Sequence, residues 1–160
     1  MHELDIDSTQ PKPALYASVV AQTRALLEGE HDAIANFANT TSLLYHSLPD
    51  LNWVGVYLLK DGELVVGPFQ GKPACVRIAL GKGVCGTAAL RRATIIVKNV
   101  HEFDGHIACD SASNSEIVVP LVRGNELLGV LDLDSPKFNR FDAEDQAGLE
   151  QVVAEILQAL

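Results

Sequence analysis

The chain has 160 residues, 48% apolar and 21% charged, which fits one globular domain burying ~70% of the surface its unfolded form exposes. Its net charge is −9, with 12 bases against 21 acids and a single basic pair, Arg91-Arg92, so the basic stripe of a nucleic-acid binder is missing. No apolar run approaches the ~18 residues of a membrane span, and the acidic start Met1–Asp7 is no signal peptide, so the expectation is a cytoplasmic protein with reduced thiols.

Residues 1–12 read as a disordered leader and 13–160 as the domain. From Ala14 to Leu27 apolar residues recur at helical spacing, and a second helix is expected from Asp32 to Leu48, with Ile34, Phe37, Ala38, Leu44 and Tyr45 facing inward. Period-two strands follow at 52–59 and 64–69, joined across Asp61-Gly62, a hairpin signal. A strand at 76–80 leads into Gly81-Lys82-Gly83 and a short helix over 84–92, and 94–97 is a short β-branched strand. Residues 98–114 form a long polar loop, a length usually functional or disordered. A second hairpin pairs 116–122 with 126–133, and a last helix, capped by Asp142 with Asp145 three residues on, runs to the C-terminus. The fold class is α+β: one domain with a central antiparallel sheet flanked by N-terminal and C-terminal helices.

Cys75, Cys85 and Cys109 each stand beside a Gly, Pro or Asp turn rather than inside an apolar run. Reactive thiols need partial exposure and polar neighbours, so this placement points to thiol chemistry. Gly81-Lys82-Gly83-Val84-Cys85-Gly86 spells a dinucleotide fingerprint, but hairpins surround it where a parallel βαβ unit is required, so a tight turn packing a helix is the better reading. His101, His106 and Cys109 match no standard zinc spacing, and no bound metal or organic cofactor is expected.

Asp132 and Asp134 project from one face at the end of their strand, and Glu116 opens the strand expected to pair with it. Strand ends are wet and tolerate acids. Three converging carboxylates nevertheless repel one another, and so mark a cation, ammonium or proton-donor site. Trp53 and Tyr57, four apart on a strand, share a face as core or as the wall of a pocket for a small apolar or cationic group. An acidic pocket suits a cationic or zwitterionic small molecule.

The stretches Asn52–Tyr57, Gly67–Cys75, Gly83–Ala88, Gly105–Asp110, Ser113–Pro120, Gly129–Pro136 and Arg140–Asp142 resemble the free methionine-R-sulfoxide reductases, catalytic members of the GAF-domain superfamily. The resemblance covers residues 15–160. It implies that Cys109 attacks the sulfoxide sulfur and becomes a sulfenic acid, that Cys75 resolves it as a disulfide, and that thioredoxin reduces that disulfide. Cys85 is implied as a relay or an alternative resolver. Glu116, Asp132 and Asp134 would share proton donation and the grip on the substrate ammonium, with Glu116 and Asp134 nearest the sulfoxide. Trp53 and Tyr57 would wall the methyl side, and the 98–114 loop would close as a lid. A homodimer through the N-terminal helices fits such domains. The rival reading is a non-enzymatic GAF-type sensor of a small ligand or of redox state.

Overall fold

The computed structural model describes residues 3–107 and 111–160. Cys109 lies outside the described residues. Among the described residues four α-helices, α1 (Lys12–Leu27), α2 (Ala33–Ser47), α3 (Gly83–Arg91) and α4 (Ala143–Ala159), accompany six strands. The strands are β1 (Trp53–Lys60), β2 (Glu63–Gly71), β3 (Arg77–Ala79), β4 (Ile95–Val97), β5 (Ser115–Arg123) and β6 (Glu126–Ser135). They form one antiparallel sheet in the order β3-β2-β1-β6-β5-β4. Among the described residues no helix is long and apolar enough to cross a membrane.

Period-two alternation divides the side chains between the sheet's faces. Val54 and Val56 of β1, Ile117 and Val119 of β5, and Leu131 and Leu133 of β6 meet the apolar sides of α1, α2 and α4. The opposite face carries Trp53, Tyr57, Val118 and Val130 and packs against Val84, Cys85, Ala88 and Ala89 of α3. Functional residues on this second face therefore sit between the sheet and a single short helix.

The turns and caps follow their local chemistry. Asp61 and Gly62 both adopt positive φ, 51° and 83°, as a two-residue hairpin turn demands. Asp32 caps α2 by accepting from the Ala35 amide at 2.8 Å. Asp142 and Asp145 form a reciprocal capping box at the start of α4. Asp145 is fully buried and accepts from Lys12 Nζ at 2.6 Å, the Tyr16 hydroxyl at 2.8 Å and Arg140 Nη1 at 3.1 Å, which joins α1 to α4.

Two expectations need correction. Ile34 and Ala38 of α2 are exposed, and the buried side holds Asn36, Thr40 and Thr41 beside Phe37 and Leu44. Two threonines and an asparagine interrupt the apolar stripe, so the buried side is turned away from Ile34 and Ala38 while Phe37 and Leu44 face inward as expected. The 98–114 segment contains a 3₁₀ turn at Val100–Glu102, capped by Asn99. Its far end is fixed by Asn114, whose amide nitrogens reach the carbonyls of Ser135 and Pro136 at 2.8 Å each. Residues 3–11 carry no helix or strand, although Ile6 packs against the core.

Gly148 tests the α1–α4 seam. A Cβ there would collide with the Tyr16 ring, which cannot retreat because its hydroxyl is bonded to Asp145. Alanine ordinarily stabilises a helix interior by ~1 kcal/mol over glycine, whereas overpacking costs about 1–3 kcal/mol. The clash should win. Gly148→Ala is expected to lower the urea midpoint at unchanged m-value, and a raised midpoint would contradict this packing.

Candidate active site

Cross-strand register gathers the carboxylates. Glu116 stands opposite Asp134, and Val118 opposite Asp132, so both β6 acids and Glu116 share one face at one end of the β5–β6 hairpin. On the other side of β6, Trp53 pairs with Asp134 and Gly55 with Asp132. Trp53 and Tyr57 thereby stand beside the acids, as their spacing predicts. All five residues line one pocket, with α3 and His106 on its far side.

Burial controls the electrostatics. Glu116 and Asp132 are 6% and 5% exposed, while Asp134 is half-buried. Burial first, and then the Asp132 charge, pushes the Glu116 pKa well above the usual carboxylate range. Burial and then Asp134 raise the Asp132 pKa to about 8. The cluster thus holds protons near neutral pH. His106 Nε2 lies 3.9 Å from Glu116 Oε1, and burial followed by the nearby His101 lowers its pKa, favouring a neutral imidazole.

Trp53 stacks on Tyr57 at 5.8 Å and on Phe69 at 5.3 Å. The Trp53 indole N–H donates to the Lys72 carbonyl at 3.1 Å, and the Tyr57 hydroxyl donates to the Cys75 carbonyl at 3.2 Å. The two aromatics therefore pin the segment that carries Cys75. Gly71 permits the approach: its φ is +129°, and a Cβ would meet the Trp53 ring at 2.6 Å.

The thiols divide. Cys75 is half-buried and disulfide-bonded. Cys85 is free, 5% exposed and enclosed in α3, contrary to the exposure expected of a turn-side cysteine. Its Sγ faces Glu116 Oε2 at 4.0 Å, and burial first, then Asp132 and Glu116, raises its pKa well above the ordinary thiol value. The glycines around it serve packing: a Cβ on Gly86 would strike the Ala79 carbonyl. The dinucleotide reading fails because every strand pairing is antiparallel. Of the histidines weighed as metal ligands, His101 is engaged with Asn114 Oδ1 at 2.9 Å. Among the described residues, the group with metal-ligand spacing is Cys85, Glu116 and Asp132.

Sequence reasoning did not foresee the N-terminal end of α3 in the pocket wall, where Lys82, Gly83 and Val84 lie. Lys82, the N-cap residue, makes no side-chain cap bond there. The Gly-x-Gly turn was its only signal.

An α+β domain with this sheet and a pocket between sheet and short helix is a GAF domain, and the GAF-domain family model matches residues 37–160. The free methionine-R-sulfoxide reductase of Escherichia coli K12 is 55% identical over 93% of this chain and 90% of its own length. The Saccharomyces cerevisiae enzyme of that name is 38% identical over 93% of this chain and 87% of its own. The X-ray structure of the Neisseria meningitidis free methionine-R-sulfoxide reductase, in complex with its substrate, superposes with a TM-score of 0.94 at 40% identity, covering 99% and 95% of the two chains. The chain belongs to the free methionine-R-sulfoxide reductases of the GAF-domain family.

Proposed function

We infer that the chain reduces free L-methionine-(R)-S-oxide to L-methionine, with Cys109 as nucleophile and no bound metal or organic cofactor. The observation that carries this reading is the buried, proton-holding Glu116–Asp132–Asp134 cluster beside an aromatic wall that holds Cys75 in place. Kinship with reductases of that name at 55% and 38% identity supports the substrate.

The Cys109 thiolate attacks the sulfoxide sulfur. A carboxyl of the cluster protonates the oxygen, which passes to Cys109 as a sulfenic acid while methionine leaves with the sulfur's lone pair restored. The Cys75 thiol then condenses with the sulfenic acid, forming a Cys75–Cys109 disulfide and releasing water. Thioredoxin's dithiol returns both to thiols and is itself oxidised. The disulfide-bonded state of Cys75 supports its resolving role, and the burial of Cys85 argues against that thiol meeting a partner protein.

The substrate ammonium is matched by the carboxylates, with Glu116 and Asp134 nearest the sulfoxide. Its methyl group meets Trp53 and Tyr57. Its carboxylate suits the N-terminus of α3, where unpaired amides and the helix dipole favour an anion. A homodimer through the N-terminal helices, in the cytoplasm, completes the proposal. The exposed Ile34 offers apolar surface there.

The test is NADPH consumption with thioredoxin and thioredoxin reductase, offering the free R and S sulfoxides separately. Turnover on R alone is expected, with poor turnover on an N-blocked R sulfoxide. No turnover on either free isomer would move the assignment to a sensor. Cys75→Ser is expected to release about one methionine per enzyme and then stop; normal steady-state cycling would remove its resolving role.

A further inference from the structure

Cys85 has no part in that cycle, yet its thiol is buried against the carboxylates. One donor atom each from Cys85, Glu116 and Asp132 lie within 4.8 Å of one another, and all three residues are buried. A second, independent feature directs this group toward a cation. Asp132 Oδ1 is buried with no hydrogen-bond partner, in a residue 5% exposed that lines the pocket. An unpartnered carboxylate oxygen at that depth carries a desolvation cost that a bound cation relieves.

We propose that the pocket binds a thiophilic divalent cation, with Zn²⁺ as the type, through Cys85 Sγ, Glu116 and Asp132, and that this cation excludes the sulfoxide. Tetrahedral zinc with sulfur and oxygen ligands sets its donors about 3.4–3.6 Å apart. The 4.0 Å between Cys85 Sγ and Glu116 Oε2 closes to that value by side-chain rotation. His106 Nε2 lies 3.9 Å from Glu116 Oε1 but outside this group of three, so the fourth position is left to water. On binding, the Cys85 proton and the protons held by Glu116 and Asp132 leave to buffer as the sulfur–metal and oxygen–metal bonds form, with no change of oxidation state. The thiolate selects Zn²⁺, Cd²⁺ and Co²⁺, whereas Mg²⁺ and Ca²⁺ prefer oxygen ligands throughout. Exclusion of the sulfoxide rests on the function inferred above; the metal site itself does not.

Cobalt is the probe, added to the full chain with the Cys75 disulfide intact, so that Cys85 is the reporting thiol. The expected result is a near-ultraviolet thiolate-to-cobalt absorption that saturates at a single ion per chain, resists excess Mg²⁺ and is displaced by Zn²⁺. The band should vanish in Cys85→Ser. Asp132→Asn, which keeps the thiol, should weaken cobalt binding by at least about tenfold. Absence of the band in folded wild-type protein, or its survival in folded Cys85→Ser, overturns the proposal. Should Cys85→Ser not fold, cobalt affinity unchanged by Asp132→Asn overturns it equally. A preparation that turns over sulfoxide but binds no cobalt refutes the metal site alone. One that binds cobalt without turning over sulfoxide leaves the site standing and removes the reductase reading.

Discussion

Cys109→Ser is expected to reduce methionine sulfoxide turnover by at least about 10³-fold, because a hydroxyl cannot supply a thiolate to the sulfoxide sulfur and no sulfenic acid can form. The same substitution has a readout independent of activity. Wild-type protein with Cys75 disulfide-bonded has one thiol left to titrate, the buried Cys85. Under the proposed pairing, Cys109→Ser frees Cys75, and denatured protein should titrate two thiols. Two other outcomes are informative. Residual turnover within tenfold of wild type would reassign the nucleophile, and the absence of any titratable thiol would mean that Cys75 pairs with Cys85. That second pairing is disfavoured by geometry, since Cys85 is enclosed in α3 and turned toward Glu116.

What made the carboxylate site legible in the sequence was a hairpin. Counting back from the Gly124-Asn125 turn brings Glu116 level with residues 132–134, and the observed partner is Asp134. A bulge at Leu121/Val122 shifts the register by one on the way, and that shift sets Asp134 rather than Leu133 opposite Glu116. Local signals also carried the Asp61-Gly62 turn and the Asp142 capping box. Long-range placement was not legible. The pairing of β1 with β6 joins residues nearly eighty apart in the chain, and no local pattern encodes it. That pairing sets Trp53 beside Asp134 and completes the pocket. Likewise Cys85 looks turn-exposed in sequence, since its burial depends on α3 packing onto the sheet. The aromatics illustrate the limit best. Their spacing showed a shared face, but their polar atoms bond carbonyls at Lys72 and Cys75, and main-chain acceptors leave no trace in residue types.

Asp132→Asn should yield a protein that is more stable and far less active. Asp132 has a pKa of about 8 in the folded chain against an ordinary 3.8. Between those values the folded state retains a proton that the unfolded state has released. The stability Asp132 contributes is thus complete below pH 4 and is lost as pH rises through about 8. Asparagine does not titrate and escapes the loss. At ~1.4 kcal/mol per pKa unit, the variant's advantage at pH 8 over pH 5 is on the order of 2–4 kcal/mol. That corresponds to roughly 5–10 °C in a domain this size. Under the proposed function this cost has a use, since a crowded, buried carboxyl that keeps its proton at neutral pH would deliver it to the leaving oxygen. Removing Asp132 breaks the proton sharing and one hold on the ammonium, so kcat/KM is expected to fall about 10²-fold or more. Melting curves at pH 5 and pH 8, paired with kcat/KM on the R sulfoxide, check both halves. A variant no more stable than wild type at pH 8 would mean that Asp132 is not strained by burial, and unchanged kcat/KM would place the proton donor and the ammonium grip on Glu116 and Asp134 alone.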